Sequence, residues 1–359
     1  MSNTLKLSVV TGLLVGIVGL PQSGKTTLFN ALTRAGVPAG GAAGKASVAA
    51  VPVPDPRVDV LAELERSRKK VFVQARFVDV AGLSTGSGGG LAAQGLGALR
   101  EADALAMVLA AWDETGPDPV DAAAELTLEL TVADLESIAG GADKAAKKAR
   151  AGVKDAALEA SVLTRARDLL DRGTPLREAG WEPEEARVLR NFSPLTLKPA
   201  LAVLNLAEAD AAAADERAAG VEAKLGLPTV AVAAALEAEA AELPAEDAAD
   251  LLAGYGVSRG GLDQVVGAAW RLLDLLTFLT TGEDETRAWE VRRGATAPEA
   301  AGRIHSDLQR GFIRAEAIAY DDLVAAGGWD TARSKGLLRT EGKSYVVQEG
   351  DVLHIRFNV

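Results

Sequence analysis

The chain has 359 residues, enough for two or three domains with a sizeable core. It is 48% hydrophobic but only 4% aromatic and carries a formal charge of −12, a helix-rich globular composition that argues against a wholesale electrostatic grip on nucleic acid or anionic lipid. There is no cysteine and only His305 and His354 as histidines, which excludes disulfides, thiolate metal sites and Cys nucleophiles and argues against a Ser-His-Asp triad.

The run from Leu7 to Leu20 follows Lys6 in the manner of a signal peptide. It is too short to span a bilayer and no small-residue cleavage site follows it, so a cytoplasmic protein with neither a membrane nor a DNA partner is expected. Its second half, "LLVGIVG" (13–19), reads as a buried strand. The next residues are "GLPQSGKT", Gly19-x4-Gly24-Lys25-Thr26, the Walker A pattern. Its glycines let backbone N–H groups crowd around phosphate oxygens, Lys25 reaches the terminal phosphates, and the Thr26 hydroxyl holds Mg²⁺.

Further apolar runs, "ARFVDVAG" (75–82), "DALAMVLAAW" (103–112), "ALAVLNLAE" (200–208) and "PTVAVAAA" (228–235), alternate with helical stretches. Continuous apolar strands between helices predict a doubly wound parallel sheet covered on both faces. The second run ends in "DVAG". In P-loop proteins this D-x-x-G pattern places Asp79 near Mg²⁺ and lets the Gly82 N–H donate to the γ-phosphate. Leu83 stands where Ras-like GTPases have the Gln that orients the attacking water.

Between Asp118 and Pro199 no strand is expected. Leu128, Val132 and Leu135, then Leu158, Val162, Ala166 and Leu169, recur at helical spacing, with "AGGADKAAKKARAG" between them as a hairpin tip. Lys144, Lys147, Lys148, Arg150 and Lys154 cluster there, as a solvated helix end or an RNA contact. "NLAE" (205–208) occupies the position of a guanine-reading N-K-x-D motif. Glu208 is a methylene too long for that role and Leu206 replaces the Lys, so Asn205 on a purine edge makes adenine a candidate base. Residues 236–275 return to helix, broken at "GYGVSRGG". After "LTTG" (279–282) a strand "RAWEV", a capping box Thr296–Glu299 opening a helix to about Gly311, and an alternating final strand "DVLHIRFNV" predict a small α+β domain. Arg292 and Arg293 beside Gly294 are a candidate grip for a phosphate or a carboxylate.

Taken together, "GIVGLPQSGKTTLFNALTRAG", "VPVPDPRVDVLAEL", "FVDVAGL", "LTLKPALAVLNLAE", "RAWEVRRGATAPEAAGRIHSDLQRGFIRAEAIAYDDL" and "EGKSYVVQEGDVLHIRFNV" resemble the YchF / Obg-like ATPase family from residue 13 onward. The resemblance implies an Obg-group P-loop NTPase that prefers ATP, with a helical coiled-coil insertion and a C-terminal TGS domain associated with ribosomes. Carried over, Gln22, Ser23, Gly24, Lys25, Thr26 and Thr27 bind the phosphates with Gly19, Thr26 and Asp79 serve Mg²⁺, Leu206 meets adenine through its backbone, and Asn205 and Glu208 form the base motif. Lys25, Asp79 and Gly82 are the catalytic candidates. The chain departs from the family pattern at Ala43, where a switch Thr is usual, and at Gln22, where Asn is usual. It also lacks a His after Trp112 and has Ala233-Ala234-Ala235 for S-A-K.

The expected fold is α/β: a doubly wound P-loop NTPase domain (1–117 and 199–278), a helical hairpin insertion (118–198) and a β-grasp, TGS-like α+β domain (279–359). The expected function is an ATP-binding, Mg²⁺-dependent switch with slow hydrolysis of ATP to ADP and phosphate, in contact with the ribosome or its RNA through the TGS-like domain and the insertion. A nucleotide-binding scaffold without useful hydrolysis and a GTPase are the alternatives.

Overall fold

The computed structural model describes residues 13–34, 46–80, 93–112, 116–258 and 260–358. In chain order the elements run β1 (Leu14–Val18), α1 (Lys25–Thr33), β2 (Ala46–Pro52), α2 (Pro56–Leu64), β3 (Lys70–Val71), β4 (Gln74–Val80), α3 (Ala93–Glu101) and β5 (Ala104–Ala111). The long helices α4 (Pro119–Arg150) and α5 (Ala156–Asp171) follow, then α6 (Pro183–Arg190), β6 (Ala200–Leu206), α7 (Ala214–Leu225), β7 (Thr229–Val232), α8 (Ala234–Ala240), α9 (Ala245–Gly254) and α10 (Gly261–Arg271). The remainder is β8 (Leu275–Thr280), β9 (Thr286–Arg292), α11 (Ala297–Ile304), α12 (Ser306–Arg310), β10 (Phe312–Ala319), α13 (Tyr320–Ala326), α14 (Trp329–Ser334), β11 (Arg339–Glu341) and β12 (Asp351–Phe357). These elements form two compact units, one of Leu13–Val51 with Arg76–Leu272, the other containing Pro52–Ala75 and Leu273–Val359.

The first unit is built on a sheet in the order β2-β4-β1-β5-β6-β7. The pairings β1–β4, β1–β5, β5–β6 and β6–β7 are all parallel. Every residue of β6 is buried, as a strand covered on both faces requires. The chain leaves β1 toward β4 on one side and returns to β5 on the other, so β1 is the topological switch point, where open α/β sheets bind ligands at their carboxyl ends.

The hairpin helices differ from expectation in two ways. Helix α4 continues through Gly140 and Gly141 to Arg150, and the tip is residues 151–155. Gly141, inside the segment read as the tip, is a packing site, because a Cβ there would lie 2.4 Å from the Phe192 ring. The buried face of α4 also has a different phase, whereas Val162 and Ala166 of the expected α5 stripe are buried. Leu126, Leu130, Ile138, Ala142 and Ala145 of α4, and Val162, Leu163, Ala166 and Leu170 of α5, are buried, whereas Leu128 and Val132 are about half exposed. At the hairpin root Asp134, fully buried, accepts from the Leu195 N–H at 2.8 Å, the Thr196 N–H at 2.7 Å and the Thr196 hydroxyl at 2.7 Å.

The second unit has a mixed sheet, β11-β10-β12-β8-β9-β3. An antiparallel β8–β9 hairpin, a helix, and a last strand β12 parallel to β8 and antiparallel to β10 give the β-grasp arrangement. The unit begins earlier than residue 279. Strand β8, which follows the 236–275 stretch read as helical, is not among the expected elements, since a short run such as "LLTFLT" has no decisive period of its own. Residues 52–75 also belong here rather than with the nucleotide sheet. Strand β3 pairs with β9, and Arg57 bridges its own cap Asp55 to Glu349 at 2.7 and 2.6 Å. The Thr296–Glu299 capping box is present, the Thr296 N–H donating to the Glu299 carboxylate at 2.7 Å. The helix it opens is broken at His305, whose backbone is extended. Arg293 grips a carboxylate of its own chain, donating from Nε to Asp274 at 2.9 Å.

The root of the hairpin gives the first prediction. Asp134→Ala leaves two buried N–H groups and a hydroxyl without their acceptor, which is expected to destabilise the first unit by about 2–4 kcal/mol. Urea denaturation followed by far-UV dichroism measures it, and a loss below about 0.5 kcal/mol would contradict this account of the root.

Candidate functional site

The phosphate loop spans Gly19–Gly24 between β1 and α1 and forms an arch that two glycines make possible. A Cβ at Gly19 would sit 2.5 Å from both the Val108 carbonyl and Ser23 Oγ. Gly24, with φ of 86°, adopts a left-handed conformation, and a Cβ there would lie 2.1 Å from Asn205 Nδ2. Gln22 is also left-handed, with φ of 62°. Asn tolerates that region better than Gln does, so the departure from the usual Asn carries a backbone strain of about 1 kcal/mol. With Gly24 as its N-cap, α1 turns its first N–H groups toward the loop, the arrangement that favours an anion.

Lys25 crosses the arch. Its ammonium donates to the Gly19 carbonyl at 2.9 Å and the Leu20 carbonyl at 2.7 Å. Burial lowers its pKa from the ordinary lysine value, opposed by the charges of Asp79 and of Glu129 on α4. Asp79 stands next to the arch because Ile17 and Asp79 are in register across β1 and β4. It is buried, its Oδ2 accepts from the Thr26 hydroxyl at 2.9 Å, and its Oδ1 has no hydrogen-bond partner among the described residues. Desolvation raises its pKa, while the Thr26 hydroxyl and Lys25 pull it down. A hydroxyl oxygen and a carboxylate with one oxygen uncommitted, side by side, suit a hard divalent cation. No group of three or more His, Cys, Asp or Glu among the described residues could hold a metal by itself, so such a cation would take most of its ligands from phosphate and water.

Strand β6 brings the other half of the site. Asn205 pairs with Ala110 of β5 and Val232 of β7, and its buried amide is committed at both ends. Its Nδ2 donates to the Ser23 carbonyl at 3.4 Å and its Oδ1 accepts from the Ala234 N–H at 3.2 Å. Asn205 therefore ties the phosphate loop to the turn after β7 while still lining the cavity. One cavity of about 770 Å³ joins these parts, lined by Gln22, Gly24, Lys25, Thr26, Thr27, Trp112, Asn205, Leu206, Ala207, Glu208 and Ala235. Glu208 is exposed at its rim and Leu206 is buried. Gly82, Leu83 and Ala43 lie outside the described residues.

Trp112 is the residue that sequence reasoning missed as a site group. It follows β5, is 39% exposed, and its ring lies 3.3 Å from where a Gly24 Cβ would stand. An aromatic side chain there offers a flat apolar face to a planar ligand. The available signal was its place at the carboxyl end of the strand next to the switch point.

Comparison with known proteins follows this geometry. A family profile described as "50S ribosome-binding GTPase" matches residues 14–139, and the YchF-GTPase C-terminal profile, described as "Protein of unknown function (DUF933)", matches 275–358. The chain is 40% identical over 363 residues to "Ribosome-binding ATPase YchF" of Haemophilus influenzae, covering 97% of this chain and 100% of the relative. It is 39% identical to the protein of that name from Bacillus subtilis, with 97% and 100% covered. "Obg-like ATPase 1" of Oryza sativa is 32% identical, with 96% and 92% covered. The solved "Structure of the Schizosaccharomyces pombe YchF GTPase" superposes with a TM-score of 0.81 at 26% identity, covering 96% of this chain and 98% of that one. With the phosphate arch, the β-grasp unit and full-length similarity in agreement, the chain belongs to the YchF / Obg-like ATPase family.

Proposed function

We propose that the chain binds ATP with Mg²⁺ and hydrolyses it slowly to ADP and phosphate, acting at the ribosome. The observation that carries this reading is the cavity of about 770 Å³ that Lys25 and Thr26 line together with Leu206 and Glu208, a volume in the range of small-ligand sites. The relatives named ribosome-binding ATPases support both the nucleotide and the partner.

In this reading Lys25 exchanges its two loop carbonyls for phosphate oxygens, and the N–H groups of residues 22–27 and the start of α1 cradle the remaining charge. Thr26 and Asp79 would hold Mg²⁺, which supplies charge neutralisation on the β- and γ-phosphates. Water attacks the γ-phosphorus as the bond to the bridging oxygen breaks, and ADP leaves. Trp112 stacks on the base, whose edge meets the backbone near Leu206. Glu208 in place of an Asp disfavours guanine. The β-grasp unit and the far end of the hairpin, where Lys144, Lys147, Lys148 and Arg150 of α4 and Lys154 of the tip are exposed, are the surfaces for ribosomal RNA or protein. No described helix is long and apolar enough to cross a membrane, which fits a cytoplasmic site of action. A scaffold without turnover is the second reading, favoured by Leu83 and Ala43, which replace groups that order water or metal.

Lys25→Ala should abolish ATP binding, because no other cation lines the cavity among the described residues. Titration calorimetry, with quenching of Trp112 fluorescence as a second signal, checks this; unchanged affinity would remove the P-loop assignment.

Wild type should bind ATP more tightly than GTP by about 1–3 kcal/mol, the penalty of a mismatched polar contact at the base. Glu208→Asp should narrow the gap. Leu206→Lys is a poor test, since it would bury an ammonium at a position only 3% exposed. Tighter GTP binding by wild type would refute the base assignment.

Basal phosphate release should be slow and nearly indifferent to Leu83→Ala, since positioning and charge stabilisation alone would carry the reaction. Single-turnover assays at saturating Mg·ATP decide. A fast rate that collapses in the mutant would show that Leu83 organises a competent site.

A further inference from the structure

We infer that Arg100 couples the nucleotide site to the helical hairpin, its guanidinium joining α3 to the backbone of both arms of the hairpin root; this rests on the nucleotide-binding reading above. Nη1 donates to the Phe192 carbonyl at 3.0 Å and the Ser193 carbonyl at 3.4 Å, on the segment returning from the hairpin. Nη2 donates to the Ala133 carbonyl of α4 at 3.1 Å. The joint is reciprocal, because Lys198 on the returning segment donates to the Arg100 carbonyl at 2.9 Å and also to that of Ala102.

On its other side α3 is locked to the nucleotide site. A Cβ at Gly95 would fall 2.3 Å from Val80 Cγ1, and Val80 is the residue after Asp79. Leu99, fully buried, packs so closely on β1 that a Cβ at Gly16 would be 2.7 Å from its Cδ2. Asp79 is bonded in turn to Thr26. Close-packed contacts of this kind transmit a displacement rather than absorb it. Beyond Arg100, the Phe192 ring lies against Gly141 and Asp134 holds residues 195–196, so both arms move with the root. A shift of Asp79 on nucleotide binding therefore reaches the hairpin through hydrogen bonds to main-chain carbonyls. By linkage, a partner that grips the hairpin changes nucleotide affinity by the same factor.

The alternative is a purely structural role, in which Arg100 satisfies carbonyls regardless of ligand. Hydrogen exchange of the full-length protein separates the two, with wild type, Arg100→Met and Arg100→Lys each measured alone, with Mg·ADP and with Mg·AMPPNP. Met keeps the apolar stem without donors, and Lys offers one compact ammonium for the fork. In wild type the amides of 133–141 and 186–197 should differ between the nucleotide states by about 5-fold or more, the lower end of usual coupling factors. In Arg100→Met the difference should fall below about 2-fold while calorimetric ATP affinity stays within about 3-fold, with Arg100→Lys intermediate. Uniformly faster exchange in Arg100→Met with the nucleotide difference intact would overturn the inference and leave a structural role. So would a wild-type root indifferent to bound nucleotide. Absence of nucleotide binding by wild type would remove the functional reading itself and is seen separately by calorimetry.

Discussion

A lysine ammonium and an aspartate carboxylate held out of water beside each other constrain everything else in the first unit. Burial pushes the pKa of Lys25 down and that of Asp79 up, opposed at Lys25 by the charges of Asp79 and Glu129 and at Asp79 by the Thr26 hydroxyl and the charge of Lys25. Such a pair contributes little to stability, and removing one partner leaves a costly charge behind. What it provides is a cationic arch and a carboxylate oxygen set in place before any ligand arrives, and pre-set charge is what phosphoryl transfer needs. The parallel register that puts Asp79 across from Ile17 is thus an electrostatic requirement as much as a packing one.

The first unit meets that requirement with small residues. Gly19, Gly24, Gly95 and Gly16 each stand where a Cβ would collide with a neighbour, and those neighbours belong to the arch, to Asn205, to β4 and to α3. Asn205 closes the circuit by tying the Ser23 carbonyl to the Ala234 amide. The phosphate end and the base end of the cavity are consequently one body, and a ligand that spans both meets a surface with little conformational freedom left to lose.

Much of this was legible in the sequence because the chemistry forces the residue types. A phosphate arch needs glycines at fixed spacing, and a carboxylate set beside it needs a strand end. Both were readable in Gly19–Thr26 and Asp79. Strand β8 was not, since a six-residue run such as "LLTFLT" after a helix carries no decisive period of its own. The segment around Gly141 read as the hairpin tip because the ring that rests on Gly141 comes from Phe192, far along the chain. Asn205 was legible as a site residue, but its commitment to two backbone groups was not. Arg100 was invisible for a similar reason, its partners being carbonyls that every residue possesses. Local contacts of side chain with main chain, such as the Thr296–Glu299 capping box, leave a motif, and those between distant segments, such as Arg100 with Phe192, do not.

The length of α4 adds a mechanical dimension. At 1.5 Å per residue, the 16 residues from Asp134 to Arg150 extend about 24 Å beyond the root. A rotation of about 5° at Asp134 would carry the end of such a rod through about 2 Å, roughly half the width of a close contact between side chains. The hairpin is a lever whose fulcrum is a cluster of main-chain hydrogen bonds and whose far end is ringed with lysines. A displacement at the root too small to alter the sheet is large enough at the tip to make or break an ion pair.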